Sequence, residues 1–456
     1  MSKTSSFRVG RVTAYLRGQV WYLRYHENGQ RHQVRGGHEK KAVRRLAAEV
    51  NAQLETGAPV MTSIDSVTVP ELRELWLEHH EHVLQSSVAT LNRYRTATDH
   101  LLGFIEQGGG RSPRVSSFRP THAEQFVRYL RQLKVAPNGH ANATRRPLRG
   151  KGIKYVLQVC RSLFNFALKR RYLPPYADNP FSVIEIDRMP ADPATPHADL
   201  SKRQERQLLA ACDEWQLPVF LTLVLTGLRP GELSHLMLPE DLDLIGGWLK
   251  VRNKPQLGWQ VKTRSERKIP LVPELVAVLK LVVGDRRTGP AFLRRRFADE
   301  GTAPALADLD EKQLQHELER RVLAKEETLE RPLTREERRR LAWFLWRDAG
   351  AIKPTRLRCE FIRLTKQIGL PALTAPKTLR HQFATALQDA NVDPLIRNQL
   401  MGHAPARAGY GDSALGMTGV YTHTRPETMR RQLTTALKSR PAVEVARTWV
   451  GMQNAC

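Results

Sequence analysis

The sequence predicts a mainly helical protein of the α+β class, in which small β-sheets are set among many helices. Three observations support this fold class. A β-prone segment with turn residues occupies the first part of the chain, and apolar residues recur at helical spacing through most of the remainder. A Pro- and Ala-rich segment at 187–199 divides the chain, and 456 residues are enough for about two or three domains.

We expect three domains joined by short linkers. The first combines a three-stranded sheet with one helix, the second is helical, and the third mixes helices with a small sheet. Residues 57–66 and 187–199 are the predicted linkers, because they are rich in turn-forming and small residues. The expected boundaries are 1–60, 66–186 and 199–440, with a charged helical insertion at about 300–352 and a C-terminal tail at 441–456.

The first domain begins with strands and ends with a helix. Residues 20–25 alternate between two faces, and Asn28-Gly29 is a strong signal for a tight hairpin. After His38, apolar residues recur at helical spacing as far as Leu54. The basic residues expected to bind nucleic acid are Arg17, Arg24, Arg31, Arg35, Lys40 and Arg44. A basic appendage that only increases solubility is the alternative, because charged faces are often just solvated.

The second domain, residues 67–185, has an almost entirely helical pattern. Apolar residues recur at helical spacing over 91–104 and again over 152–171. Thr121 is expected to cap the helix between them, with Glu124 completing a capping box. A generic helical bundle would have the same pattern, so these helices alone do not indicate a function.

The third domain begins with helices whose ends can be located. Ser201 is expected to cap its first helix, and a helix from about residue 218 should stop at Gly227. Pro230 suits the first position of the next helix, which puts Arg229 at the junction. Glu232 would then be the third helical residue, from which its carboxylate can reach back to free backbone N–H groups.

Two features follow this junction. β-prone segments at 247–251, 259–262 and 268–271 predict a small sheet that carries Lys262 at a turn. Residues 300–352 are highly charged and have a helical pattern. A solvated structural hairpin is the default interpretation of this insertion, and contact with a partner is the alternative.

The segment that begins at Lys377 predicts two further helices. Lys377 and Arg380 lie at the start of the first, where the helix dipole disfavours cations and favours anions. A phosphate bound between these cations and the backbone N–H groups would account for them. Asp393 is a good N-cap for the second helix, and Gly402 suits its C-terminal end, just before His403.

Composition narrows the class of partner. The chain carries 72 Lys and Arg against 46 Asp and Glu, a formal net charge of +26, so a polyanion is the expected partner. No apolar run reaches transmembrane length, and the N-terminus lacks the apolar core of a signal peptide. The four cysteines show no metal-binding or disulfide spacing, which favours a reducing, cytoplasmic setting. We also find no His-rich or carboxylate cluster that predicts a metal site, so no cofactor is expected.

Four ordered motifs together resemble the tyrosine recombinase (phage integrase) family. Each is too short to be specific alone, but their order along most of the chain is far more specific. The motifs are Thr226-Gly227-Leu228-Arg229-Pro230-Gly231-Glu232, Leu379-Arg380-His381, Met401-Gly402-His403 and Tyr421-Thr422-His423. The resemblance implies an arm-type DNA-binding domain at 1–60, a helical core-binding (SAM-like) domain at 66–186 and a catalytic domain at 199–440.

The resemblance also implies roles for individual residues. Tyr421 would be the nucleophile that stores the cut strand as a phosphotyrosine, and Arg229 and Arg380 would bind the scissile phosphate. Lys262 would protonate the departing 5′-oxygen. The remaining members of the set are His403 as a hydrogen-bond donor, Lys377 as a phosphate-binding charge, and Glu232 and His381 as supporting residues.

Two departures from the family pattern leave alternatives open. Lys377 stands where family members usually carry His, so a fixed charge replaces a titrating group. The segment between His403 and Tyr421 is longer than usual, and the nucleophile could act within its own subunit or in a neighbour. Tyr410 is the rival nucleophile, although it lacks the Thr-His that follows Tyr421. Lys254 is the rival acid, although Lys262 has the better sequence context.

The resulting hypothesis is a site-specific recombinase that integrates or excises a mobile element or phage genome. It would act as a homotetramer on double-stranded DNA at core sites and arm sites, without metal or ATP, with accessory DNA-bending or directionality proteins as further partners. The expected location is the cytoplasm, with the nucleoid. A type IB topoisomerase-like enzyme and a non-catalytic DNA-binding regulator are the alternatives.

Overall fold

The computed structural model describes most of the chain and divides it into two compact units, 1–195 and 196–456. The described residues are 5–27, 29–56, 67–108, 114–136, 140, 142–173, 178–190, 192, 200–299, 301–403 and 424–455. The division between the units falls inside the Pro- and Ala-rich segment 187–199. None of the helices described is long and apolar enough to cross a membrane.

The first unit begins with an antiparallel sheet that is covered on one face by a helix. Its elements are β1 (Ser6–Val9), β2 (Val12–Arg17), β3 (Val20–Glu27), β4 (Gln30–Gly37) and α1 (Lys40–Thr56). The strand order is β1-β2-β3-β4, so the sheet has four strands and the expected three-stranded sheet is wrong. The extra strand, Ser6–Val9, is short and is joined to β2 by a tight turn at Gly10 (φ +51°), which leaves little sequence signal.

The alternation in β3 determines which face of the sheet is covered. Trp21, Leu23 and Tyr25 are buried beneath α1, whose Val43 and Val50 belong to the same core. Side chains at the intervening positions of the strands therefore lie on the opposite, uncovered face.

Helices form the remainder of the first unit. Its elements are α2 (Val69–Glu78), α3 (Val88–Gln107), α4 (Pro120–Gln132), the short strands β5 (Lys134–Val135) and β6 (Arg146–Pro147), and α5 (Gly150–Lys169). A separate core with Trp76, Phe126 and Phe164 holds the helices together. Thr121 does not cap α4. The helix begins one residue earlier, at Pro120, and the Nδ1 atom of His122 accepts the backbone N–H of Arg119 at 2.9 Å.

The second unit surrounds one large apolar core. Its helices are α6 (Lys202–Ala210), α7 (Gln216–Thr226), α8 (Pro230–Leu233), α9 (Pro273–Val283), α10 (Arg295–Asp299), α11 (Glu311–Leu329), α12 (Arg335–Asp348), α13 (Pro354–Gln367), α14 (Lys377–Asp389), α15 (Pro394–Met401), α16 (Pro426–Leu437) and α17 (Pro441–Ala455). Its strands are β7 (Met237–Leu238), β8 (Leu242–Asp243), β9 (Trp248–Val251), β10 (Arg267–Pro270) and β11 (Gly289–Pro290). Strands β10, β9 and β8 form a three-stranded sheet, and β11 pairs with β7.

Of two local predictions for this unit, one agrees with the structure and one does not. Ser201 caps α6, its side chain accepting the N–H of Gln204 at 3.2 Å. The predicted strand at 259–262 is wrong, because only Trp259 forms an isolated bridge there, with Lys254. Apart from that bridge, the described loop between β9 and β10 forms no strand, and it turns at Lys262.

The C-terminal residues pack as part of the unit. Ala442 and Ala446 of α17, which lie in the segment expected to be a tail, are fully buried in the main core. The buried carboxylate of Glu205 on α6 accepts the backbone N–H of Ala442 at 3.2 Å and forms an ion pair with Arg440. The same carboxylate accepts from Gln382 of α14 at 2.8 Å, so α17 is anchored to the helix that carries Arg380.

Candidate active site

The candidate site begins where α7 ends. Gly227 has a left-handed conformation (φ +63°), and a Cβ there would lie 2.4 Å from Cδ1 of Phe383 in α14. Glycine therefore allows the chain to turn and α7 to approach α14 closely. The turn delivers Arg229 to the N-cap position of α8, with Pro230 at the first helical position, as the sequence predicted.

Glu232 is buried and holds two arginines. Its carboxylate accepts the backbone N–H of Arg229 at 2.9 Å and the Arg229 Nη1 group at 2.7 Å. The Nη1 and Nη2 groups of Arg267 donate to the two carboxylate oxygens at 3.1 and 2.7 Å. Burial by itself would raise the pKa of Glu232, but Arg267 and Arg229 keep the pKa below its ordinary value. The carboxylate is therefore charged and fixes the orientation of both guanidinium groups.

Arg267 is a site residue that the sequence reasoning missed. Its side chain is 4% exposed, and its Nε group donates to the carbonyl of Leu400 at 2.9 Å. It thus joins the first strand position of β10 to the end of α15. A signal was present in the sequence, because the period of a strand puts Arg267 on the same inward face as Ile269.

Arg380 lies in the first turns of α14 and is also buried. Its Nη1 group donates to the carbonyl of Gly227 at 2.7 Å, and its Nη2 group donates to the carbonyl of Met401. These contacts join the ends of α7 and α15 and engage two of the five N–H donors of the guanidinium. Burial first, and then the charge of Arg229, lower the pKa of Arg380 to about 10. The side chain still carries its charge at neutral pH and lies within electrostatic reach of Arg229.

His403 follows the end of α15 and faces these cations. Gly402 takes the left-handed conformation that ends the helix, and the N–H of His403 donates to the Asn398 carbonyl at 3.0 Å. The pKa of His403 is lowered by partial burial and then by Arg380, Arg229 and Arg267. The imidazole is consequently neutral near pH 7 and exposed, and it can donate one hydrogen bond.

The two candidate lysines lie in different environments. Lys262 is exposed at the turn between β9 and β10, and Oγ1 of the next residue, Thr263, donates to the Gly402 carbonyl at 3.2 Å. The turn therefore packs beside His403. The rival, Lys254, is buried, and its Nζ donates to Oδ2 of Asp241 at 2.7 Å. That buried ion pair gives Lys254 a structural role and leaves Lys262 as the accessible cation.

Of the remaining predicted residues, two lie in α14 and two lie outside the described structure. Lys377 is the first residue of α14 and is exposed, while His381 is half-buried. Tyr421 and its rival Tyr410 lie outside the described residues. In the described part of the chain, no three His, Cys, Asp or Glu side chains are grouped so that they could hold a metal ion.

A cleft of about 580 Å³ opens beside the site. His403 and Gly402 border it together with Arg267, Lys250 and Thr424. The described chain stops at His403 and resumes at Thr424, and both of these residues border the cleft.

The chain belongs to the phage integrase family, whose model matches residues 198–428. Its activity is therefore that of a site-specific tyrosine recombinase, an enzyme that cuts and rejoins DNA strands, and the topoisomerase-like and regulator alternatives are not favoured.

Solved structures with a similar chain include an integrase fragment from the Tn1549 transposon in complex with transposon right-end DNA. It is 17% identical, with a TM-score of 0.50, over 80% of this chain and 98% of that one. A lambda integrase dimer bound to a core site is 14% identical, with a TM-score of 0.42, over 87% of this chain and 97% of that one. The integrase of mycobacterium phage Brujita is 16% identical, with a TM-score of 0.35, over 83% of this chain and 98% of that one. No curated protein sequence matches the chain.

We predict that Arg267→Ala will destabilise the protein and slow DNA cleavage together. Removing Arg267 leaves the buried Glu232 carboxylate with one guanidinium, and breaking a buried ion pair costs about 3–5 kcal/mol. Because the folded-state pKa of Glu232 is lowered, the stabilisation is present above about pH 4.3 and is lost as the pH falls through the lowered value. Urea unfolding at several pH values and single-turnover cleavage would measure both effects.

Arg447→Ala is the matched control. Arg447 pairs with Glu274 at 2.6 Å, but its side chain is 71% exposed, so the loss should be about 0–1 kcal/mol. Equal losses in the two variants, or normal cleavage by Arg267→Ala, would contradict the role assigned to Arg267.

Proposed function

We propose that this recombinase is an integrase of a phage or other mobile element, and that Tyr421 forms a 3′-phosphotyrosine with the cut strand. The observation that carries the proposal is that Arg229 and Arg380 lie within electrostatic reach of His403, with the Lys262 turn bonded to the helix end that precedes His403. These cations and donors match the charge of a phosphodiester in the transition state.

In the proposed reaction, Tyr421 attacks the scissile phosphorus as its phenolate. Arg229 and Arg380 bind the non-bridging oxygens, and His403 donates a further hydrogen bond. The bond between phosphorus and O5′ breaks as the bond to the Tyr421 oxygen forms, and Lys262 gives a proton to O5′. A 5′-hydroxyl from the partner duplex then attacks the phosphotyrosine and releases Tyr421, so the bond energy is retained without ATP.

Chain connectivity supports Tyr421 as the nucleophile. Thr424, three residues further along the sequence, borders the same cleft as His403. The DNA-bound assembly determines whether Tyr421 acts in the active site of its own subunit or in that of a neighbouring subunit. We propose a homotetramer, because exchange between two duplexes cuts four strands in all.

Lys377 has a charge role in this proposal. It is exposed at the first position of α14, one helical turn before Arg380, where the helix dipole also favours an anion. Lysine supplies a fixed positive charge there, where a histidine would titrate between about pH 5 and 8. His381 follows Arg380 in the same helix and supports its placement.

The uncovered face of the N-terminal sheet is the proposed second DNA site. In the strand register, Tyr22 is opposite Arg35, Arg24 is opposite Gln33, and His26 is opposite Arg31. Arg17, Arg24, Arg31 and Arg35 are all exposed and share this face. They can bind phosphates while the sheet lies in a major groove.

Lys40 and Arg44 belong to the other side of the module. The Lys40 Nζ lies 5.9 Å from the centre of the Trp21 ring, and the Arg44 guanidinium lies 5.9 Å from the Phe7 ring. Cation–π packing against the covered side accounts for both. Accessory DNA-bending or directionality proteins, and a place in the cytoplasm with the nucleoid DNA, complete the proposal.

A suicide substrate with a nicked strand tests the nucleophile. The wild-type protein should form a covalent adduct that survives denaturation, whereas Tyr421→Phe should bind the same DNA and form none. Denaturing gels and a mobility-shift assay measure the two properties. Tyr410→Phe, the matched control, should still form the adduct, and a covalent product from Tyr421→Phe would disprove the assignment.

The same substrate tests the charge at position 377. Lys377→Ala should still form the adduct, but more slowly, because about 2–3 kcal/mol of transition-state stabilisation is lost. Lys377→His should recover part of that rate and become pH-dependent between about pH 5 and 8. A wild-type rate in Lys377→Ala would exclude contact with the phosphate.

The salt dependence of binding tests the uncovered face. The logarithm of the affinity falls as the logarithm of the salt concentration rises, and each lost phosphate contact makes this slope shallower by about 0.9. Replacing Arg24, Arg31 and Arg35 by Ala should therefore make the slope shallower by about 2–3 on arm-site DNA. The double variant Lys40→Ala with Arg44→Ala is the control and should keep the wild-type slope. An unchanged slope in the triple variant would show that this face does not contact DNA.

A further inference from the structure

The helical hairpin of α11 and α12, which the sequence left without a function, packs on the loop that carries Lys262. A Cβ at Gly258 (φ +67°) would lie 2.7 Å from the Cβ of Ala342 in α12. Nε1 of Trp346 donates to the carbonyl of Leu257 at 2.9 Å. Leu257 and Leu345 are both fully buried in a small core formed between the loop and the hairpin. The loop and α12 therefore meet through close backbone approach, a buried hydrogen bond and apolar packing.

Charged groups join the start of the same loop to α11. The buried Asp241 carboxylate accepts Nζ of Lys254 at 2.7 Å and Nε of Arg252 at 2.6 Å. Nη2 of the same Arg252 donates to Glu311, the first residue of α11, at 2.6 Å. The hairpin is thereby held at the base of the loop as well as along its side.

A stack of rings connects the hairpin to the start of α8. The His235 ring lies flat against Trp259, with 3.9 Å between centroids and 5° between planes. The Trp346 ring meets His235 edge-on at 4.7 Å. Nδ1 of His235 donates to the carbonyl of Gly231 at 2.7 Å, and burial lowers the pKa of His235 to about 4. His235 is thus a neutral ring held between two indoles.

Gly231 connects this ring stack to the helix that begins at Arg229. A Cβ at Gly231 would lie 2.9 Å from Cη2 of Trp259, so the indole rests directly against the backbone of α8. Arg229 is the N-cap of that helix. One continuous set of contacts therefore runs from Trp346 through His235 and Trp259 to the backbone two residues from Arg229, while Trp346 also bonds to the Lys262 loop.

We propose that the α11–α12 hairpin sets the position of Lys262 relative to Arg229, with Trp346 and His235 as positioning residues. The proposal rests on the role given to Lys262 under Proposed function, that of proton donor to O5′. A misplaced donor loses most of its effect, since errors of about 1 Å can cost about 100-fold in rate. Loosening the loop should therefore impair departure of the 5′-oxygen more than binding of the phosphate.

A substrate with sulfur in place of the bridging 5′-oxygen separates these two effects. In that substrate the bond between phosphorus and sulfur breaks, and the 5′-thiolate leaves without taking a proton. A thiol has a pKa near about 8.5, far below that of an alcohol, so the leaving group needs no acid. A variant that has lost only the placement of the proton donor should recover its rate on the sulfur substrate.

The experiment uses the full-length chain and compares single-turnover cleavage of matched oxygen and sulfur suicide substrates. Trp346→Ala should be slowed by about 10- to 100-fold on oxygen and should come within about threefold of wild type on sulfur. Trp346→Phe, which keeps a ring but loses the bond to Leu257, should show a smaller loss with the same recovery. Trp343→Ala is the matched control, because Trp343 lies on the same helix and is 43% exposed; it should behave as wild type on both.

Lys262→Ala and Arg380→Ala separate failure of the proposal from failure of the proposed function. Sulfur should rescue Lys262→Ala and should not rescue Arg380→Ala. If sulfur fails to rescue Lys262→Ala, the acid role of Lys262 is wrong. If it rescues Lys262→Ala but neither Trp346 variant, or if both Trp346 variants cleave oxygen at the wild-type rate, the positioning role is overturned. Should Trp346→Ala fail to fold by circular dichroism, Trp346→Phe decides the outcome alone.

Discussion

The site depends on one buried carboxylate that holds two guanidinium groups in place. Glu232 bonds to Arg229 on its own helix and to Arg267 at the start of β10, and Arg267 in turn bonds to the end of α15. Three chain segments that are far apart in sequence are therefore joined through Glu232 and its partner Arg267. A carboxylate without these partners would be costly to bury, so the geometry of the site and the stability of the fold rest on the same contacts.

The positive charge that remains at the candidate site would favour a bound anion. Arg380 is held by backbone carbonyls and lies near Arg229 and Arg267, and this proximity helps to lower its pKa and that of His403. Mutual repulsion among these cations is a cost in the free protein, and a bound phosphate would relieve it. In the proposed reaction little reorganisation would be required when charge develops on the phosphate, because burial and hydrogen bonds already fix the side chains.

Features with local causes could be predicted from the sequence. Helix caps and stops depend on a few neighbouring residues, and so Ser201, the Gly227 stop and the Arg229-Glu232 arrangement were predictable. The β3–β4 hairpin and the first turn of α14 were also foreseen. The fourth strand of the N-terminal sheet and the start of α4 were missed, because a four-residue strand and a non-standard cap leave almost no pattern.

Features that depend on tertiary packing could not be predicted. Nothing near Arg267 indicates that its partner is Glu232, and nothing in the charged insertion indicates that Trp346 meets His235 and the Lys262 loop. Lys254 and Lys262 are both lysines of one loop, and only burial against Asp241 distinguishes them. The sequence thus predicted which residues form the site, and that prediction remains to be tested, whereas the contacts around Arg229, Arg267 and Lys262 required the structure.

A crystal structure of Tyr421→Phe bound to DNA with an intact scissile phosphate would test this arrangement most directly. We expect the guanidinium groups of Arg229 and Arg380 at hydrogen-bond distance, about 3 Å, from the non-bridging oxygens, with the contacts between Glu232 and Arg267 unchanged. A phosphate bound elsewhere, or a Glu232 carboxylate that has released Arg267 in order to bind DNA, would contradict a site that is organised before its substrate arrives.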